Sequence, residues 1–569
     1  MKKFKDYIYK RPNYEEYAKK VRETREKFEQ AKTVEEASSL FRLLLEEEAT
    51  VESMGTLHQI HFSLNVNDEF HKKEDEWWNE YAPLFDECAM ETSSALLKSP
   101  FVKELQEIFP KTLFLLAKCK TNTISETTLD LRQQENELIS KYDELMANAT
   151  IEFDGEVYNL PQMAKFMTDT NREVRKRADK ARTAWYVQNE EQFDRIYDEM
   201  IKNRHQQAVT LGYNNYVEMS LDIRQRFGYS QKDIEYYRKQ VLEVVVPVAQ
   251  KLYARQGKRI GVEEMKHYDL DLQFLDGNAT PQGEKDELVA AARKMYCELS
   301  KETGEFFDFM VERDLLDLDA RKGKMGGGYC TYISDEKSPY IFANFNGTSG
   351  DVDVLTHEAG HAFQVYSSRH IQENSLIWPT IEAAEIFSMS MEFITWRWME
   401  SFFKEHTNRY KFSHLSAGVQ FLPYGVLVDH FQQEVYTHTG WSAVERKATW
   451  RRLEKMYLPH KDYSESPDLE RGIFWFKQAH IFGAPFYYID YTLAQVVALQ
   501  FWKKFNVEQA SNAWEKYLEA TSVGGTKTFL EIIELTGANS PFEKGTLREV
   551  IQEVDDYLSA ISEKELALS

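Results

Sequence analysis

The stretch that most limits how this chain can fold is His357-Glu358-Ala359-Gly360-His361. In a helix the two histidines lie one turn apart and project from the same face. Two imidazoles so placed can take two corners of a tetrahedral zinc site, leaving room for a third ligand and a water. Glu358 sits beside the first histidine, where its carboxylate can reach the water rather than the metal. The flanking Val352, Val354, Leu355, Ala362, Phe363, Val365 and Tyr366 are apolar and predict a buried helix. Ala359 and Gly360 are small enough to let backbone or metal approach closely. The plain alternative is a chance match of three residues on a core helix.

A second helix is predicted over Ile381 to Phe393, after the loop ended by Pro379, with Thr380 placed to cap it. It is rich in apolar residues yet carries Glu382, Glu385 and Glu392, and buried carboxylates need partners. The first two share a face at i and i+3, and Glu392 returns to nearly the same side. If this helix runs antiparallel to the histidine helix, Glu385 could be the third ligand. Glu382 or Glu392 would then accept from a ligand histidine. The spacing alone does not choose among the three. A salt-bridged helix is the competing reading, weakened by the scarcity of basic residues before Arg397.

Just upstream, Gly326, Gly327 and Gly328 lead into two short strand-like runs, Tyr329 to Ile333 and Tyr340 to Phe345. This reads as the only convincing β segment of the chain. The glycines lack the GKS/T ending of a phosphate loop, so nucleotide binding is not expected. A strand beside a metal helix can instead offer an open edge to an extended peptide. Downstream, His480 is followed by Tyr487, Tyr488 and Tyr491, with Gly483 and Pro485 breaking the helix between them. Such side chains can donate hydrogen bonds to an oxyanion, although tyrosines at helical spacing also suit a core edge.

Elsewhere the first 250 residues read as helix after helix, opened by capping signatures at Thr33 to Glu36 and Ser230 to Asp233. Pro247 should kink the helix that contains it. The mixed charges from Arg172 to Arg182 suggest a solvated helix face. Residues 272–283 read as a loop and 284–318 as helix. At 569 residues the chain should form two lobes, placed at 1–200 and 201–569.

A formal net charge of −23 disfavours nucleic acid as a partner. No apolar run is long enough to span a membrane, and the basic start lacks the apolar core of a secretory signal. Cys88, Cys119, Cys297 and Cys330 form no CxxC pair and suggest reduced thiols. A cytoplasmic protein, monomer or homodimer, is the consistent expectation.

Together these residues carry a resemblance to the thimet oligopeptidase and oligoendopeptidase F family of zinc peptidases, nearest the oligoendopeptidase F and Pz-peptidase branch. The matching blocks are His357 to His361, Glu385 to Glu392, Pro339 to Thr348, and His480 with Pro485 to Tyr491. The resemblance implies a mainly α fold of two helical lobes around a deep channel, with a small sheet next to the histidine helix. It also implies one Zn2+ per chain, held by His357, His361 and Glu385. Glu358 would be the general base, and His480 and Tyr491 would stabilise the oxyanion. Tyr487 and Tyr488 would contact the substrate, as would Gly327 and the strand residues Tyr340, Phe342 and Ala343. The substrates implied are short unstructured peptides cut at internal bonds. The thimet branch has a glycine-rich loop where this chain has Pro485 and Phe486. A zinc exopeptidase is the second reading, and a non-catalytic helical peptide-binding protein with a zinc site the third.

Overall fold

The computed structural model describes residues 2–568. Helices dominate, the longest being Val34–Leu64, Glu69–Lys98 and Thr407–Thr437. The capping signatures at Thr33 and Ser230 hold, whereas Thr380 stands at the N-cap of the helix Ile381–Ile394 without a side-chain capping bond. Thr33 Oγ1 accepts from the Glu36 amide at 3.2 Å, and the Ser230 amide donates to Asp233 Oδ2 at 2.7 Å. Such contacts satisfy amides that a helix start leaves without partners. Pro247 falls in the first turn of Val246–Arg259, directly after a π-helical turn at Val241–Val245. The proline has no N–H to donate, and the wider turn absorbs the break.

Several expectations need correcting. A hairpin interrupts the N-terminal helices: β1 (Ile151–Phe153) pairs antiparallel with β2 (Glu156–Tyr158). Between them Asp154 and Gly155 both have positive φ, 51° and 85°, as a two-residue hairpin turn requires. Secondly, β3 (Leu316–Asp319) occupies the end of the stretch read as helix. Thirdly, the helix Arg172–Gln188 is not simply solvated. Arg175 and Asp179 are buried on it, bonded to Asp269 at 2.7 Å and His267 at 2.6 Å, and they dock it on the turn at His267–Asp269.

The sheet beside the histidines comprises β3, β4 (Tyr329–Ile333) and β5 (Ser338–Phe345), in the order β3-β5-β4. β5 runs parallel to β3 and antiparallel to β4. The strand expected to offer an open edge is therefore the central one. Ile341 and Phe342 have partners on both sides, and the side chains of Tyr340, Phe342 and Ala343 are buried. The outer strand on the glycine-loop side is β4.

From β5 the chain passes into the histidine helix, Gly350–Ser368. Asp351 fixes this junction by accepting from the amides of Asn346 at 2.9 Å and Gly347 at 2.7 Å. The glutamate helix, Ile381–Ile394, packs between the histidine helix and the tyrosine helix, Tyr488–Trp502. A second core gathers residues from Tyr17 to Ala117 with Leu376. Among the described residues all four cysteines are free, and no helix is long and apolar enough to cross a membrane.

Candidate active site

Because the histidine and glutamate helices touch, His357, His361 and Glu385 converge. Their ligand atoms lie within 4.8 Å of one another. His357 Nε2 and His361 Nε2 are each 3.3 Å from Glu385 Oε2. A tetrahedron with ligand bonds of about 2.0–2.1 Å has edges of roughly 3.3–3.4 Å. Both nitrogen–oxygen edges have this length, and two imidazole nitrogens with one carboxylate oxygen are the donor chemistry that zinc takes.

The surroundings separate the three glutamates. Glu392 bridges two histidines, His357 Nδ1 at 2.7 Å and His414 Nε2 at 2.6 Å. Trp396 Nε1 donates to His414 Nδ1 at 2.9 Å and fixes that ring in turn. A carboxylate on Nδ1 places the His357 proton there and leaves Nε2 free to ligate. Glu385 Oε2 accepts from Ser388 Oγ at 2.9 Å, and its Oε1 from the Tyr487 hydroxyl at 3.1 Å. The nearby histidines hold its carboxyl well below the usual range despite burial. Glu382 reaches neither histidine. It accepts from the Tyr229 hydroxyl at 3.0 Å, and burial with Asp490 nearby pushes its carboxyl up to about 8. Glu382 is thus not the acceptor for a ligand histidine.

Glu358 is buried, which pushes its carboxyl up, an effect the two histidines oppose. Gly328 approaches it closely: a Cβ on this glycine would lie 3.9 Å from Glu358 Oε1 and 3.3 Å from the Phe342 carbonyl. Gly327 has φ +87° and its carbonyl accepts from Asn344 Nδ2 at 2.9 Å, so it shapes the glycine turn.

The tyrosine cluster forms as a unit. The His480 ring lies 5.5 Å from Tyr487, 4.9 Å from Tyr488 and 5.9 Å from Tyr491. Of the three, Tyr487 bonds a candidate ligand; Tyr488 packs against Phe421 and Tyr424. Tyr424 donates to Gln478 Oε1 at 2.7 Å, so the Gln478 amide points its nitrogen at His480 Nδ1, 2.9 Å away. The His480 proton then resides on Nε2, and burial with Arg224 nearby holds the imidazole below its ordinary pKa. A neutral ring with N–H on Nε2 is a donor poised for an oxygen acceptor.

The loop carrying these tyrosines is pinned. Phe486 adopts φ +62°, a region that favours glycine. Its amide donates to Gln432 Oε1 at 3.0 Å, its carbonyl accepts from Arg226 at 2.6 Å, and its ring packs on Tyr216 and Tyr436. His414, Trp396, Gln478 and the arginines at 224 and 226 were not singled out from the sequence, since each is an isolated polar residue with no telling spacing.

The model of peptidase family M3 matches residues 165–551, and that of the peptidase M3 N-terminal domain matches 4–124. An oligoendopeptidase F homolog of Mycoplasma genitalium is 21% identical over 483 residues, covering 78% of this chain and 76% of that protein. A solved structure of Pz peptidase A with an inhibitor has a TM-score of 0.95 and 43% identity, covering 99% of this chain and 100% of the other. A structure from Bacillus anthracis, provisionally described as an oligoendopeptidase F, has a TM-score of 0.91 and 46% identity over the whole of both chains.

Proposed function

This chain belongs to peptidase family M3 and is a metallo-oligopeptidase, and from that premise we propose that it hydrolyses internal bonds of short unstructured peptides with one zinc ion and Glu358 as general base. The observation that carries this reading is the meeting of His357 Nε2 and His361 Nε2 on Glu385 Oε2, each 3.3 Å from it, with buried Glu358 beside them. Zinc bound there would supply Lewis acidity, making a water more acidic and a carbonyl more electrophilic.

The chain's own groups do the rest. Glu358 takes a proton from the attacking water and delivers it to the leaving amine. Its raised pKa suits both halves of that task, because the carboxyl can hold the proton between them. Glu392 keeps the His357 proton on Nδ1. His480, through Nε2–H, and Tyr491 donate to the oxygen on which negative charge develops. Tyr487 also orients Glu385. Tyr488 and the glycine turn at Gly327 border the peptide. Of the strand, β4 with Gly328 suits main-chain pairing better than buried Tyr340, Phe342 and Ala343. A cavity of about 1000 Å3, lined by Thr331, Trp378 and Pro485 among others, adjoins the site through Trp378, whose ring lies 5.9 Å from that of His361, and its size suits an extended peptide rather than a folded domain.

The test is hydrolysis of an internally quenched peptide with a blocked N-terminus. Cleavage at an internal bond, lost with chelator and restored by zinc, is the expected result. Cleavage only of peptides with free N-termini would favour an exopeptidase. Binding without cleavage by the zinc-loaded chain would leave only a peptide-binding role.

A further inference from the structure

Arg224 follows the helix Tyr216–Ile223 and lines the cavity that Thr331, Trp378 and Pro485 also border. Its Nε donates to the Pro485 carbonyl at 2.9 Å, and its terminal nitrogens make no hydrogen bond among the described residues. Buried arginines around it are different. Arg204 holds Glu135 at 2.6 Å, Arg226 holds Asp490 at 2.5 Å, and Arg238 holds Asp429 at 2.6 Å. Asp490, the acid that most raises the Arg224 pKa, is thus already engaged, and burial pulls the Arg224 guanidinium below its ordinary pKa.

A half-buried guanidinium without a counter-charge is costly unless something supplies one. Its position says what. The guanidinium carbon lies 5.6 Å from the centre of the Tyr487 ring, whose hydroxyl donates to Glu385 at 3.1 Å. Arg224 is therefore within about three residues of a bond cleaved at this centre, at about 3.3–3.6 Å of extended chain per residue. With Nε anchored on Pro485, the planar fork is held in one orientation, the arrangement that suits a carboxylate.

We propose that Arg224 is a carboxylate subsite of the peptide cavity, its free terminal nitrogens taking either the substrate's C-terminal carboxylate or an Asp or Glu side chain. The proposal rests on the peptidase reading above and adds a preference among peptides.

The test uses the full chain carrying Glu358→Gln, so that peptides bind without turnover, with residue 224 as Arg, Met or Gln. Four fluorescent peptides of equal length are compared by anisotropy: a free C-terminal acid, its amide, and amides differing by one Asp or Asn. With Arg224 the acid-bearing member of a pair should bind about tenfold or more tighter, and that ratio should fall toward one in both variants. The pair that responds identifies which carboxylate is recognised. Ratios that do not depend on residue 224 in either folded variant would overturn the subsite. If the parent chain neither binds these peptides nor, with Glu358 intact, cleaves the quenched peptide, the peptidase reading falls and the subsite with it.

Discussion

Gly360 lies directly under the backbone of the glutamate helix: a Cβ added to it would sit 2.6 Å from the Phe387 carbonyl and 2.7 Å from Ser388 Cα. No side chain fits between the two helices at this point, and the close crossing is what brings Glu385 within 3.3 Å of both histidines.

Gly360→Ala should therefore separate the helices. We expect a loss of roughly 1–3 kcal/mol from overpacking, together with weaker zinc retention, read by thermal melting and metal analysis. A variant with unchanged melting and full zinc content would contradict this account of the crossing.

Glu358→Gln keeps shape and hydrogen-bonding capacity but removes the proton acceptor. Turnover of a quenched peptide should fall by about 10²–10⁴-fold, while zinc content stays at one per chain. Parallel loss of zinc would mean that Glu358 holds the metal, and undiminished turnover that another group is the base.

Glu392 bridges His357 and His414. Glu392→Ala leaves His357 without its carboxylate and should weaken zinc binding by about 10–100-fold in competition with a chelator. The peptide KM should move far less than metal affinity. Unaltered zinc affinity would show that the ring is oriented by packing alone.

Glu382 predicts a pH effect on stability. Its folded-state pKa, pushed up to about 8, lies above the ordinary carboxyl value of 4.5. The folded chain thus binds the extra proton between those values, so this stabilisation is full below about pH 4.5 and lost as pH rises through 8. Glu382→Gln, neutral at every pH, should show an apparent Tm that gains on the parent chain by roughly 2–5 °C from pH 5 to 8. A constant difference across that window would mean that Glu382 is ionised throughout.

Periodicity made most of the helices readable because burial of one face needs only local spacing. The apolar run around His357 and that of Ile381 to Ile394 are examples. The strand β3 escaped because Leu316-Asp-Leu-Asp319 is short and its parallel partner lies distant in sequence. The hairpin at Asp154-Gly155 carried a readable turn signal that the surrounding helical pattern obscured. β5 looked like an edge because strand order depends on which neighbours pair with it, and local residues do not encode that order.

At the site, the sequence by itself determined the chemistry: two histidines one turn apart, a glutamate beside the first, and three acids on an apolar helix. Only the tertiary structure decided which neighbours each acid meets. Glu382, Glu385 and Glu392 lie near one face of one helix, but each meets a different neighbour: Tyr229, the paired histidines, and the His357–His414 bridge. The reason is physical. Helical spacing fixes the direction in which a carboxylate points, whereas its pKa and its role depend on the charges and donors it meets there, and distant parts of the chain supply those.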